Sequence, residues 1–318
     1  MEPIVSVKNL KKRYKDGTLA VRGVSFNVRR GEIFGFLGPN GAGKTTTINM
    51  LTTLLKPSGG TATIAGFDVS SQPSEVRENI GVVFQEPALD NMLTGRENLD
   101  FHGRLYGITG GRLHRRIQEV LKLVGLEKKA DVLVKKYSGG MKRRLELARG
   151  LMHSPKVLFL DEPTLGLDVQ TRRKIWEYIL KVRDKEGMTI FMTTHYMEEA
   201  EKICERIAII DDGKILKLDR PENLVDGECA GVVEVQTRSK IKNIKGVKKI
   251  QRKQGVFDLR VKDGRQLMKV VKEVMNKYDV ENINIRKPSL EDVFLKLTGK
   301  SIRDDSASGR GMKRRPHR

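Results

Sequence analysis

The stretch Gly38-Pro39-Asn40-Gly41-Ala42-Gly43-Lys44-Thr45 restricts the fold of this 318-residue chain more than any other. Its pattern is glycine, four residues, then Gly-Lys-Thr. An apolar strand is predicted just before it, over Glu32 to Leu37, and a helix just after it, over Thr45 to Leu55. Glycines let successive backbone N–H groups turn inward around an anion without Cβ clashes. Thr45 and Thr46 open the helix, whose positive N-terminal end favours negative charge. Lys44 is placed to reach the β- and γ-phosphates of a nucleotide, and the Thr45 hydroxyl suits Mg²⁺. A glycine-rich turn that binds nothing would require neither the strand nor the helix.

Further strands are predicted at Val157 to Leu160 and Thr189 to Thr193, separated by helical stretches. That alternation implies a mainly parallel sheet with helices on its faces. Ile4 to Val28 alternates weakly and reads as two or three antiparallel strands, with a turn at Lys15-Asp16-Gly17. Glu86 to Lys136 is polar and reads as a helical subdomain, with turn signals at Gly107 to Gly111. A composition shift near Arg220-Pro221 ends this first domain, expected to span 1–221. Beyond it, strands over Gly231 to Thr237, Val256 to Val261 and Asn282 to Arg286 and an amphipathic helix over Arg265 to Asn276 imply a small α+β domain, 222–300. The basic stretch 301–318 is poor in apolar residues and is expected to be disordered.

Two further motifs extend the phosphate site. The apolar strand ending in Asp161 delivers a carboxylate to the sheet edge, where it can face Mg²⁺. Glu162 follows directly, placed to orient or deprotonate an attacking water. Ser138-Gly139-Gly140 precedes the helical run Met141 to His153 and forms a second helix N-terminus open to anions. As an isolated tripeptide it would be no more than a helix cap. Its place about 20 residues before the Asp161 strand makes it specific.

Composition narrows the class. The net charge is +21, and +12 of it lies between Val225 and Arg318. Such an excess fits nucleic acid, an anionic membrane surface or plain solubility. Aromatic residues are 5% of the chain, too few for stacking platforms along a single strand of nucleic acid. No apolar run approaches the roughly 18 residues of a membrane span. The N-terminal residues lack a signal-peptide core. Cys204 and Cys229 cannot build a disulfide framework or a four-cysteine zinc site. The expectation is a cytoplasmic protein. Asn276-Lys277-Tyr278-Asp279 matches a guanine-reading pattern but ends a helix of the second domain, so it reads as a polar helix end.

With these motifs in order, the chain resembles the ATP-binding subunits of ABC transporters over roughly Glu2 to Pro221. The fold this implies is a P-loop ABC ATPase: a mainly parallel core sheet, an antiparallel N-terminal sheet and a helical subdomain, followed by the small α+β domain. The resemblance implies a role for each matching residue. Tyr14 stacks on adenine. Gln85 contacts Mg²⁺ and water and senses the membrane partner. Ser138, Gly139 and Gly140 form the signature loop. Asp161 and Glu162 are the Mg²⁺ aspartate and the catalytic glutamate. Gly166-Leu167-Asp168 crosses a dimer interface, and His195 touches the γ-phosphate. The commonest signature reads Leu-Ser-Gly-Gly-Gln, whereas Tyr137 and Met141 stand at its outer positions here. That variant, with the segment Pro288 to Gly299, resembles the daunorubicin-resistance-like exporters.

The resemblance implies a nucleotide-sandwich dimer, of like or similar subunits, in which Ser138 and Gly140 close over the partner's ATP. It also implies docking on a separate multi-span permease, near Gln85 and Asn91 to Tyr106, at the inner face of the membrane. No specific nucleic acid is expected. The alternative is a soluble ABC ATPase acting on nucleic acid or protein assembly. Neither a second ATPase unit nor a heptad run accompanies the first.

Overall fold

The computed structural model describes residues 2–226, 231–253, 255–261 and 263–299. They form two compact units, Met1–Leu218 and Asp219–Arg318. The expected tail and Cys229 lie outside the described residues.

The first unit runs β1 (Val5–Arg13), β2 (Leu19–Val28), β3 (Ile33–Leu37), α1 (Lys44–Leu51), β4 (Gly59–Ile64), β5 (Phe67–Asp68), α2 (Pro73–Asn79) and β6 (Ile80–Val83). It continues through α3 (Gly95–Leu105), α4 (Gly110–Leu123), α5 (Gly139–Gly150), β7 (Val157–Asp161), α6 (Val169–Glu186), β8 (Thr189–Thr194), α7 (Met197–Ile203), β9 (Arg206–Asp211) and β10 (Lys214–Asp219). Six strands form the core sheet in the order β10-β9-β3-β8-β7-β6. The pairs β9/β3, β3/β8, β8/β7 and β7/β6 are parallel. β3, β7 and β8 are buried along their whole length, because a parallel sheet covered on both faces demands continuous apolar runs. A second sheet, β2-β1-β4-β5, is antiparallel.

Aromatic packing fills the core between the sheets. Phe34 and Phe36 share one face of β3, as the two-residue strand period requires. Their rings lie 5.4 and 5.5 Å from that of Phe26 on β2. Phe191 of β8 lies 5.8 Å from Phe26 and 5.4 Å from Phe159 of β7.

Two expected boundaries move. The helix after the glycine-rich loop ends at Leu51 rather than Leu55, because Thr53 adopts a left-handed conformation (φ +64°). The region from Glu86 is not helical until Gly95. There Thr94 and Glu97 form a reciprocal capping box that fixes the start of α3. Two helices and two single 3₁₀ turns make up the rest of that region.

The second unit contains α8 (Pro221–Asp226), β11 (Gly231–Gln236), β12 (Val247–Lys253), β13 (Val256–Val261), α9 (Leu267–Lys277), β14 (Asn282–Arg286) and α10 (Leu290–Thr298). Its sheet order is β12-β13-β11-β14, with antiparallel neighbours throughout. Val270, Val271 and Val274 of α9 pack on Val233, Val235 and Leu259. Asn276-Lys277-Tyr278-Asp279 is where α9 stops, and the Asp279 carbonyl accepts a hydrogen bond from Thr237.

Candidate active site

Four parallel neighbours, β3, β8, β7 and β6, release their chains at one edge of the core sheet. Carboxyl ends of parallel strands are where open α/β sheets bind ligands, because the loops there diverge and leave a crevice. β3 leads into Gly38–Gly43, β6 into Gln85, β7 into Asp161 and Glu162, and β8 into His195.

The loop after β3 requires its glycines at two points. A Cβ on Gly38 would stand 2.4 Å from the Ile210 carbonyl oxygen. Gly43 has φ +98°, and a Cβ there would meet the Ala20 oxygen at 2.5 Å. Gly43 is also the N-cap of α1, so no side chain caps that helix. The first N–H groups of α1 therefore remain open to an anion. The loop is pinned by Gly38 N–H donating to the Thr194 carbonyl at 3.3 Å and by Gly213 N–H donating to the Ala42 carbonyl at 3.1 Å.

Lys44 folds back under this loop. Its ammonium donates to the carbonyls of Gly38 (2.8 Å) and Pro39 (2.9 Å) and lies 3.2 Å from Glu162 Oε1. The side chain is 4% exposed. Burial pulls its pKa below the ordinary lysine value, and Glu162 and Asp161 partly offset this. On the other side of Glu162, His195 Nδ1 lies 3.1 Å from Oε2, a close contact without the alignment of a hydrogen bond. Burial opposes the Glu162 charge, but His195 and Lys44 outweigh it and hold the carboxyl pKa below its usual range. Glu162 is therefore an ionised carboxylate at neutral pH.

The Glu162 backbone is strained, with φ +46° in a residue that is not glycine. Thr193 stabilises it. The Thr193 hydroxyl accepts from Glu162 N–H at 3.0 Å and donates to Asp161 Oδ1 at 2.5 Å. One buried hydroxyl thus fixes both acidic residues, and among the described residues no hydrogen bond is seen to Asp161 Oδ2. Asp161 Oδ2, the Thr45 hydroxyl and the Gln85 amide are all hard oxygen donors, the set that Mg²⁺ selects. Gln85 is exposed. Tyr14, held in the β1–β2 turn by its N–H bond to the Thr18 carbonyl, places its hydroxyl 3.2 Å from the Thr46 hydroxyl. One ring therefore sits at the mouth of the loop.

The structure brings together Lys44, Asp161, Glu162 and His195, with Tyr14 against Thr46. It does not bring in the signature residues. Ser138 caps α5, its hydroxyl accepting from Met141 N–H at 3.3 Å. Asp168 caps α6, accepting from Thr171 N–H (2.9 Å) and the Thr171 hydroxyl (2.6 Å). The two caps are neighbours: a Cβ on Gly140 would meet Thr171 Cγ2 at 2.4 Å. Among the described residues, no hydrogen bond or ion pair joins Ser138, Gly139, Gly140 or Asp168 to the loop after β3.

Sequence reasoning missed three groups that organise this edge. In the sequence Thr193 is only the last residue of a predicted strand. Glu199, fully buried on α7, accepts from the Thr164 hydroxyl (2.9 Å) and Trp176 Nε1 (2.8 Å), and burial raises its pKa. Arg143 of α5 is 5% exposed and donates to main-chain carbonyls on two segments of this edge. The only advance signal for Thr193 was its place at the end of an apolar strand. Glu199 and Arg143 gave none, since both stand in charged runs that read as solvated.

Comparisons with known proteins identify the family. Residues 21–165 match the ABC transporter family, and residues 230–298 match the C-terminal domain of DrrA1-3-like ATP-binding proteins. The daunorubicin resistance ATP-binding protein DrrA2 of Streptomyces coeruleorubidus is 40% identical, over 93% of this chain and 95% of that protein. The Nod factor export ATP-binding protein I of Ralstonia nicotianae is 39% identical, over 95% and 96% respectively. Among solved structures, a dimeric ATP-binding cassette in a post-hydrolysis state with ADP and Pi is similar, with a TM-score of 0.62 and 31% identity. It covers 68% of this chain and 98% of the cassette.

Proposed function

Because the chain belongs to the ATP-binding subunits of ABC transporters and is an ATPase, we propose that it is the motor of an exporter, working as a nucleotide-sandwich dimer docked on a separate membrane permease. One observation carries this reading. Lys44, Asp161, Glu162 and His195 converge at one sheet edge, while the second anion-binding helix end, at Ser138, stands apart from them within the same chain. A second copy, related by two-fold symmetry, supplies the missing face to each site.

In this reading the loop amides and Lys44 hold the phosphates, and Tyr14 stacks on the base. Glu162 acts on the attacking water, with His195 beside it to stabilise the γ-phosphate. Thr45, Gln85 and Asp161 hold Mg²⁺, which neutralises charge on the phosphates when bound. Ser138, Gly139, Gly140 and Asp168 face the partner's nucleotide. The motor is 1–221, with a helical subdomain about 86–136, and 222–300 is an accessory domain. The division is supported by the two compact units and by the separate C-terminal family match.

Among the described residues no helix is long and apolar enough to cross a membrane. Met92, Phe101 and Leu105, in and before α3, are 61–68% exposed, and Tyr106 follows at 39%. Beside them a cavity of about 490 Å³ is lined by Ser74, Arg77, Glu78, Leu105, Tyr106 and His153. In this reading that surface receives the permease, with the subunit on the inner face of the membrane. Export is supported by the names of two relatives, a daunorubicin resistance ATP-binding protein and a Nod factor export ATP-binding protein.

The test has two arms. Glu162→Gln should lower turnover about 10²-fold or more and convert the chain to a dimer in ATP with Mg²⁺ but not in ADP, read by sedimentation. A monomer in ATP would sink the sandwich. A tagged chain should retain one multi-span membrane protein through a high-salt wash of gently solubilised membranes, since salt removes attraction that is only electrostatic. Retention of none, with ATPase intact, would leave the motor and remove the exporter.

A further inference from the structure

Arg143 and Glu146 are buried charges on α5 that none of these roles uses. The Arg143 guanidinium is spent on main-chain carbonyls. Nη1 donates to Phe84, Nη2 to Asp161 at 3.0 Å and Nε to Pro163 at 2.6 Å. Phe84 directly precedes Gln85, while Asp161 and Pro163 flank Glu162. One helical turn along, Glu146 Oε1 accepts from Ala88 N–H at 2.9 Å, and Arg149 pairs with Oε2 at 2.9 Å. The segment that holds Gln85 is therefore fastened to α5 at Phe84 and again at Ala88.

Apolar side chains would fill a helix–sheet contact at lower cost than a desolvated arginine and glutamate. A planar fork supplies something they cannot, which is simultaneous bonds to carbonyls on two loops. Burial lowers the Arg143 pKa to about 10, so the fork stays charged at neutral pH. The helix so fastened is the one that begins at Ser138.

We propose that Arg143 and Glu146 are positioning residues: a clamp that fixes Gln85 and Glu162 to the helix whose other end meets the partner's nucleotide. Closure on the partner's phosphates at Ser138 is then felt, through one rigid helix, at the water-activating residues of the subunit's own site. The clamp rests on the roles proposed above for Gln85 and Glu162.

The experiment is steady-state ATPase kinetics on the full chain, with Trp176 fluorescence to certify folding. Arg143→Lys, which keeps a cation but loses the fork, should lower kcat about 10-fold with KM for ATP within about 2-fold. Glu146→Leu should do the same, and Glu146→Gln, which keeps an oxygen for Ala88 N–H, should recover most of the loss. Because Glu146 acts through the Gln85 segment, adding Glu146→Leu to Gln85→Ala should cost no more than about 2-fold further. Folded Arg143→Lys and Glu146→Leu variants with parental kcat overturn the clamp. So does a slow Gln85→Ala that Glu146→Leu slows by its full factor again. A Gln85→Ala variant at the parental rate instead overturns the role of Gln85 itself.

Discussion

Lys44 in the first unit and Arg286 in the second both gather carboxylates at the end of a sheet, but their surroundings are of opposite kinds. Arg286 is saturated by side chains. It bonds Glu234 at 2.6 Å and Asp292 at 2.6 and 3.2 Å, and lies 3.5 Å from Asp258. Arg260 adds a buried bond to Asp292 at 3.1 Å. Every charge there has an answering charge, and Asp292 also completes the capping box that starts α10. Lys44 instead leans on two carbonyls of its own loop and on a strained Glu162, beside an uncapped helix end and an exposed Gln85. A closed network uses buried charge to specify a fold. An open one keeps donors, acceptors and strain in reserve for a ligand.

Substitution at the two centres should therefore separate activity from stability. Lys44→Met is expected to lower ATPase about 10³-fold, some 4 kcal/mol, with little loss of thermal stability, because an apolar stem can occupy the same buried channel. Phosphate release alongside a melting curve checks this. A collapse of the fold would make Lys44 structural and erase the contrast with Arg286. Asp292→Ala should do the reverse and cost about 3 kcal/mol, the low end for breaking a buried pair, since Glu234 and Asp258 still answer the arginines. The chain has one tryptophan, Trp176, in the first unit. The Asp292→Ala loss should then appear in the circular-dichroism melt and spare both the tryptophan-fluorescence melt and the ATPase rate.

How much of each region could be read from the sequence follows the same divide. The residues that meet phosphate sit in short local patterns, Gly38 to Thr45 and Asp161-Glu162, because a turn or a strand end presents them directly. The apolar strands β3, β7 and β8 were legible for a related reason, since burial on both faces writes itself as a continuous run. Elements whose few apolar residues are interrupted by charge were not. α6 buries only Ile175, Trp176, Ile179 and Val182 of its 18 residues, and β12 reads as Val-Lys-Lys-Ile-Gln-Arg-Lys. Neither stands out in a charged chain. Long-range polar contacts were invisible altogether. Arg143 reaches Phe84 across 59 residues, and nothing in the spacing of two buried groups so far apart announces that they meet.

Thr193 offers an intermediate test of the open centre. Thr193→Val keeps the shape and removes the hydroxyl that serves Asp161 and Glu162 together. Two buried bonds are lost, so a cost of about 2 kcal/mol is expected. If that strain and geometry belong to catalysis, the cost should appear as roughly a 10-fold lower kcat as well as a lower melting temperature. A variant that is less stable yet turns over at the parental rate would place the Glu162 strain outside the reaction.

The smallest effect concerns the sign of the charge in the closed network. Burial alone would raise the Asp292 pKa, but Arg286 and the Ser289 N–H overcome it and hold the carboxyl below its usual range. A depressed carboxylate contributes stability that is complete above the unfolded pKa, about 3.9, and that is lost as pH falls through the lower folded value. Asp292→Asn keeps one acceptor oxygen, for Ser289 N–H and Arg286 Nη1, and carries no charge. The gap in melting temperature between parent and variant should be full at neutral pH and should narrow below about pH 4, read by circular dichroism. A gap that stays constant on acidification would mean that Asp292 works through its hydrogen bonds rather than its charge. Arg286 would then resemble Lys44, a cation held chiefly by oxygens whatever their charge, and the two centres would differ in saturation alone.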